Sequence, residues 1–158
     1  MTADSTKALA DFVLDDSVPY LMIRVSGLMN RQLELDLRPL KVSFQHWRVL
    51  AVLAVLARKN GSSITDLSEY AVVPHSSLSR LLSRMEADGY VRRQTDGRDA
   101  RSVRVFITAV GDAMYRRILP MAVAVRERAM AGLPAAQKTN LLAALNHMLG
   151  CMQAPVKT

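Results

Sequence analysis

Apolar and polar positions alternate at helical spacing over most of the chain. From Val18 to Leu37, apolar residues recur at Leu21, Val25, Leu28 and Leu35 with polar residues between them, which predicts a helix. Arg38-Pro39 ends it, because the residue before a proline avoids the helical region. Ser43 stands in the N-cap position of a second helix over Phe44 to Arg58. The later part of that helix, VLAVLAVLA, is apolar all round and predicts central burial. Asn60-Gly61 closes it as a turn. Ser63 to Tyr70 reads as a short helix capped by Ser63 or Thr65, with Val72-Val73-Pro74 as the turn after it. His75 to Asp88 is the next helix, stopped by Gly89. Tyr90 to Gln94 and Val103 to Ile107 read as paired strands around the polar turn Thr95 to Ala100. Thr108 caps a long helix from Ala109 to Met130, in which Pro120 predicts a kink or a split. Gly132 and Pro134 mark a break before a last helix, Ala135 to Met152.

This order predicts a mainly α fold with a small β-hairpin: a winged helix-turn-helix core flanked by N- and C-terminal dimerisation helices. The expected division is an N-terminal arm over 1–17, a first dimerisation helix over 18–42, and the winged lobe over 43–108. Within the lobe the recognition helix occupies 75–88 and the wing 91–107, and 109–153 supplies the C-terminal dimerisation helices.

The stretch from Ser62 to Ile107 carries the functional signal. At about 100° per residue, Leu78, Leu81, Leu82 and Met85 share one face of the fourth helix. Ser76, Ser79, Arg80 and Ser83 share the opposite face, with Arg84 beside them. Small side chains let a helix axis approach base edges in the DNA major groove. Serine hydroxyls bond bases or phosphates, and arginine bonds guanine bidentately or clamps a phosphate. A solvated surface helix would show the same polar face, so the context decides. A short helix, a tight turn and this helix precede a hairpin holding Arg92, Arg93, Arg98, Arg101 and Arg104. From Arg80 to Arg104 seven arginines face four acids, a local charge of 7 − 4 = +3. A protruding arginine-rich loop suits the minor groove.

Charge and composition agree. Lys plus Arg number 21 against 14 Asp plus Glu, a net +7, which suits an anionic partner. Aromatics are only 5%, which argues against a β-sandwich. Cys151 stands alone, so neither an intramolecular disulfide nor a cysteine metal cluster can form. His46, His75 and His147 lack metal-ligand spacing, and there is no phosphate-binding glycine loop or nucleophile motif. No cofactor, metal or enzymatic activity is expected. The first residues show no secretory signal, and no apolar run approaches the ~20 residues that span a bilayer, so a soluble, cytoplasmic protein is expected.

The end helices carry apolar stripes: Leu21, Val25 and Leu28 on the first, and Leu141, Leu142, Leu145, Met148 and Leu149 on the last. Burying both against a second copy predicts a homodimer. A two-fold dimer reads a pseudo-palindromic operator with half-sites about 34–36 Å apart.

Three segments resemble the MarR (multiple antibiotic resistance regulator) family. Ser43 to Leu50 looks like the opening of that family's second helix. PHSSLSRLLSRMEADGYVRR looks like its recognition helix and first wing strand, and DGRDARSVRVFITAVG like its wing. The resemblance implies a transcription regulator in which Ser76, Ser77, Ser79, Arg80 and Arg84 face DNA. Arg98 is a further DNA-binding candidate in the wing, where the resemblance implies that Asp99 orients Arg101 toward the minor groove. It also implies an effector pocket between the lobe and the dimer helices. Tyr20, Arg24, Met29, His46, Trp47 and Arg48 are the candidate lining, suited to an aromatic carboxylate or its coenzyme A thioester. The expected function is a repressor released by such an effector. An effector-independent architectural DNA binder is the alternative.

Overall fold

The computed structural model describes residues 17–96 and 99–153. The expected arm over 1–17 therefore lies almost wholly outside the described residues. Helix α1 spans Val18–Leu37, and a single 3-10 turn over Arg38–Leu40 redirects the chain. Helix α2 spans Phe44–Val55. A two-residue strand β1, Ser62–Ser63, leads into α3, Ile64–Tyr70, and then α4, His75–Ala87. Strands β2, Val91–Asp96, and β3, Asp99–Ile107, form the hairpin. Helices α5, Ala109–Ala129, and α6, Ala135–Gln153, complete the chain.

The caps explain several boundaries. Ser43 and His46 form a reciprocal capping box at the start of α2. Ser63, not Thr65, caps α3 by accepting from the Asp66 N–H. Thr108 Oγ accepts from the Gly111 N–H at 3.0 Å and itself reaches the Gly89 and Tyr90 carbonyls, so one hydroxyl joins α5 to the end of α4. Gly111 is required there, since a Cβ would stand 2.0 Å from the Tyr90 carbonyl oxygen.

Four expectations need correction. Helix α2 stops at Val55, three residues short of Arg58, because the Arg58 guanidinium takes the Ala54 carbonyl and then Asp112. The apolar run is not buried to its end: Val49, Leu50, Val52 and Leu53 are, whereas Val55 and Leu56 are exposed. The hairpin strands run beyond the apolar alternation to Asp96 and Asp99, since backbone pairing of Thr95 with Val103 needs no apolar face. Pro120 does not split α5, whose buried Ile118 and Val125 hold both halves on the core while the proline itself is exposed. The strand β1, which pairs with β3 at Ser62 and Val105, had no signal, because two residues show no period.

The core lies beneath the winged lobe. Leu37, Leu50, Leu53, Leu67, Leu78, Leu82, Met85, Val105 and Ile118 are fully buried, so α1, α2, α3, α4, β3 and α5 share one apolar cluster. Helix α6 buries none of its residues.

Candidate nucleic-acid interface

Helices α3 and α4 meet at a tight turn held by two side chains. Ser68 Oγ donates to the Val73 carbonyl at 2.7 Å, and Arg48 Nη1 donates to the Val72 carbonyl at 3.2 Å. Val72 itself sits at φ +50°, in the left-handed region that a β-branched residue enters only under constraint. The turn seats α4 with Leu78, Leu81, Leu82 and Met85 inward. Ser76, Ser77, Ser79, Arg80, Ser83 and Arg84 are all exposed on the other side. Arg80 and Arg84 have no hydrogen-bond or ion-pair partner among the described residues. They extend as free cations from a rigidly held helix.

The hairpin is locked to this helix. Glu86 accepts from the Arg93 N–H and from Arg93 Nε, each at 2.8 Å, and Arg93 Nη2 donates to Ser83 Oγ at 3.0 Å. These bonds hold the Glu86 carboxyl below its usual pKa. Other hairpin arginines are also engaged. Arg92 bonds Gln94 and lies over the Phe106 ring, and Arg104 donates to the Asn60 and Gly61 carbonyls. By charge pattern Arg92, Arg93 and Arg104 belong to a free basic tip, and all three instead build the wing. Asp99 and Arg101 lie on the β3 backbone, with side chains outside the described residues, as is Arg98 altogether.

The effector candidates do not line one cavity among the described residues. Tyr20 and Arg24 pair along α1, with the guanidinium 3.3 Å from the hydroxyl. Met29 borders an open hollow of about 280 Å³ between α1 and α5, with Val25, Val125 and Arg128. Trp47 stacks on Tyr115 with ring centroids 5.5 Å apart. Arg48 lies over the Phe44 ring and braces the helix-turn-helix turn; partial burial lowers its pKa without discharging it. His46 is buried at the α2 cap and lines a groove together with Ser76, Arg80 and Arg84 of α4. Burial lowers its pKa, with Asp88 and Glu34 opposing and Arg84 reinforcing that shift.

A short helix, a tight turn, an exposed Ser/Arg helix and a clamped hairpin define a winged helix-turn-helix transcription regulator that binds DNA. The sequence model of the MarR family matches residues 40–102. The chain is 31% identical over 132 residues, 83% of its own length and 77% of the relative's, to the HTH-type transcriptional repressor IacR of Pseudomonas putida. The chain belongs to the MarR family, whose members are transcriptional regulators and not enzymes. A MarR-family regulator from Silicibacter pomeroyi superposes with TM-score 0.82 at 37% identity, covering 93% of this chain and 97% of that one. Bordetella bronchiseptica BpsR, whose DNA binding is regulated by 6-hydroxynicotinic acid, shares the fold with TM-score 0.74 at 19% identity, covering 87% and 96%.

Proposed function

We propose that the protein is a homodimeric, sequence-specific repressor that reads a pseudo-palindromic operator and is released by a small aromatic carboxylate. In this reading α4 lies in the major groove, with Ser76, Ser77, Ser79, Arg80 and Arg84 toward the bases and adjacent phosphates. The hairpin reaches the minor groove, with Asp99 restraining Arg101 beside Arg98. The observation that carries the DNA reading is the exposed Arg80/Arg84 pair, without a partner among the described residues, on a helix whose other face is buried.

Dimerisation rests on the end helices. On α1, Ile23 and Leu28 are exposed by 72% and 62%, and on α6 Leu142, Leu149 and Met152 by 56%, 55% and 84%. Large apolar side chains this exposed on both end helices support an interface rather than a solvated face. Residues 18–42 and 109–153 form the dimer module, and 43–108 the reading module.

The effector reading draws support from the aromatic acid that regulates BpsR. On this chain, Met29 borders a mostly apolar hollow that Arg128 also lines, and the Tyr20–Arg24 pair lies nearer the start of the same helix α1. A ligand that binds better to a lobe spacing unsuited to the operator weakens DNA binding by shifting populations. Selection from a randomised duplex pool, followed by displacement with a panel of aromatic acids, tests both halves. Symmetric half-sites and at least one displacing acid are expected. An asymmetric single site defeats the dimer reading, and DNA binding indifferent to every acid favours an architectural role.

A further inference from the structure

Between the N-terminus of α2 and the flank of α4 runs a groove of about 510 Å³. Ser43, Gln45 and His46 form one wall, and Ser76, Arg80 and Arg84 the other. At its base lies a buried imidazole with one nitrogen unused. His46 is only 6% exposed. Its Nδ1 accepts the Ser43 N–H at 3.2 Å and lies 2.7 Å from Ser43 Oγ. A nitrogen that accepts a backbone N–H carries no proton, so the neutral ring holds its proton on Nε2. Nε2 has no partner among the described residues. Yet no fully buried side-chain nitrogen or oxygen among them lacks one, so Nε2 keeps some exposure, on a residue that lines the groove.

Other lining groups supply donors too. Arg80 and Arg84 are unpaired among the described residues. Helix α4 starts at Pro74 without a side-chain cap, which leaves the Ser76 N–H free at its positive end. The Gln45 side chain is exposed on the α2 side. Among the described residues no carboxylate lines the groove; the acids that bear on His46 are Glu34 of α1 and Asp88 at the end of α4. A concave row of N–H donors without an acid is a seat for an oxyanion.

We propose that this groove seats a backbone phosphate of the bound duplex, with His46 Nε2–H and the Gln45 amide as donors opposite Arg80 and Arg84. The inference rests on α4 being the helix that enters the major groove. That groove is about 12 Å wide, so a phosphate strand must then pass along the flank where His46 lies. His46 belongs to DNA positioning, not to the effector pocket, and its contact is that of a neutral donor.

The test is a cycle between protein and phosphate on the full-length chain. Each phosphate of a selected duplex is replaced in turn by an uncharged methylphosphonate, and affinities are read by anisotropy. His46→Asn keeps an acceptor for the Ser43 N–H but is too short to present a donor to the groove. At one phosphate per half-site, neutralisation should weaken the wild type about fivefold and His46→Asn hardly further. His46→Asn should leave the salt slope unchanged, whereas Arg80→Ala should flatten it by about 0.9 for each phosphate that the arginine neutralises. Gln45→Ala, at an exposed position, should show the same phosphate dependence if His46→Asn fails to fold. Identical scans for wild type and both variants overturn the phosphate seat while leaving α4 in place. An Arg80→Ala variant that binds as tightly as wild type overturns the reading of α4 itself. Inorganic phosphate at matched ionic strength should not displace the duplex selectively from wild type; if it does, the groove is a free-anion site and the assignment to DNA fails.

Discussion

His46 ties folding to pH. Burial holds its pKa below the ordinary histidine value, so the folded protein disfavours the protonated ring. The stability it contributes is complete above the unfolded pKa of about 6.5 and is lost as pH falls through the lower folded value. Protonation also removes the acceptor for the Ser43 N–H. The denaturant midpoint should therefore fall as pH is lowered from the neutral range through about 6.5, and fall less for His46→Asn; equal losses for both proteins would assign the effect elsewhere. At Val72 the backbone sits at φ +50° with the side chain exposed. Relief of the left-handed penalty, about 1–2 kcal/mol, outweighs the entropic cost of glycine, about 0.5–1 kcal/mol, so Val72→Gly should stabilise slightly. At the neighbouring Val73, buried in the core, the same change should cost about 3 kcal/mol. Thermal melts of the pair would show opposite signs. The role of Ser43 was legible in the sequence, as a polar residue ahead of an apolar run. The buried histidine that completes its cap was not, because the approach of α4 makes that pocket and no local pattern records it.

At the scale of elements, the hairpin and α4 form one unit. Glu86 joins them through the Arg93 backbone and guanidinium. The pair is half exposed, so its effect on global stability should be small, about 0.5 kcal/mol. Its effect on DNA should be larger, because an unclamped wing loses entropy on docking. Glu86→Ala should thus leave the melting temperature nearly unchanged while weakening operator binding about three- to tenfold. Weakened binding that merely tracked lost stability would refute the clamp. Helix α5 starts against the Tyr90 carbonyl, just ahead of β2, only because Gly111 lacks a Cβ. Gly111→Ala should cost about 3 kcal/mol, read as a lowered denaturant midpoint. Helix positions were legible because their caps and apolar periods agree, as at Thr108 and Leu78. The hairpin was legible at Val103–Ile107 and not at its polar end. There, pairing is carried by backbone bonds, and the charge pattern alone could not separate Arg93 and Arg104, which build the wing, from arginines free to meet DNA.

The described residues divide into a closed lobe and end helices with largely exposed apolar faces. The lobe buries its core completely, whereas α6 buries none of its residues and α1 buries only Leu33 and Leu37. The stripes of Leu142 and Leu149 were visible in the sequence, but one chain cannot show what covers them. Leu142→Asp combined with Leu149→Asp should convert a dimer to a 17.5 kDa monomer in sedimentation equilibrium and abolish tight operator binding. A variant that remains dimeric would move the interface elsewhere.

Sequence-specific reading by α4 is tested most directly by the ratio of affinities for a selected operator and a scrambled duplex. Arg80→Ala and Arg84→Ala should each be compared with wild type at one salt concentration. At least one substitution should cost about 1–3 kcal/mol on the operator and far less on the scrambled duplex, collapsing the ratio. Ratios unchanged from wild type in both variants would contradict α4 as the element that reads the operator.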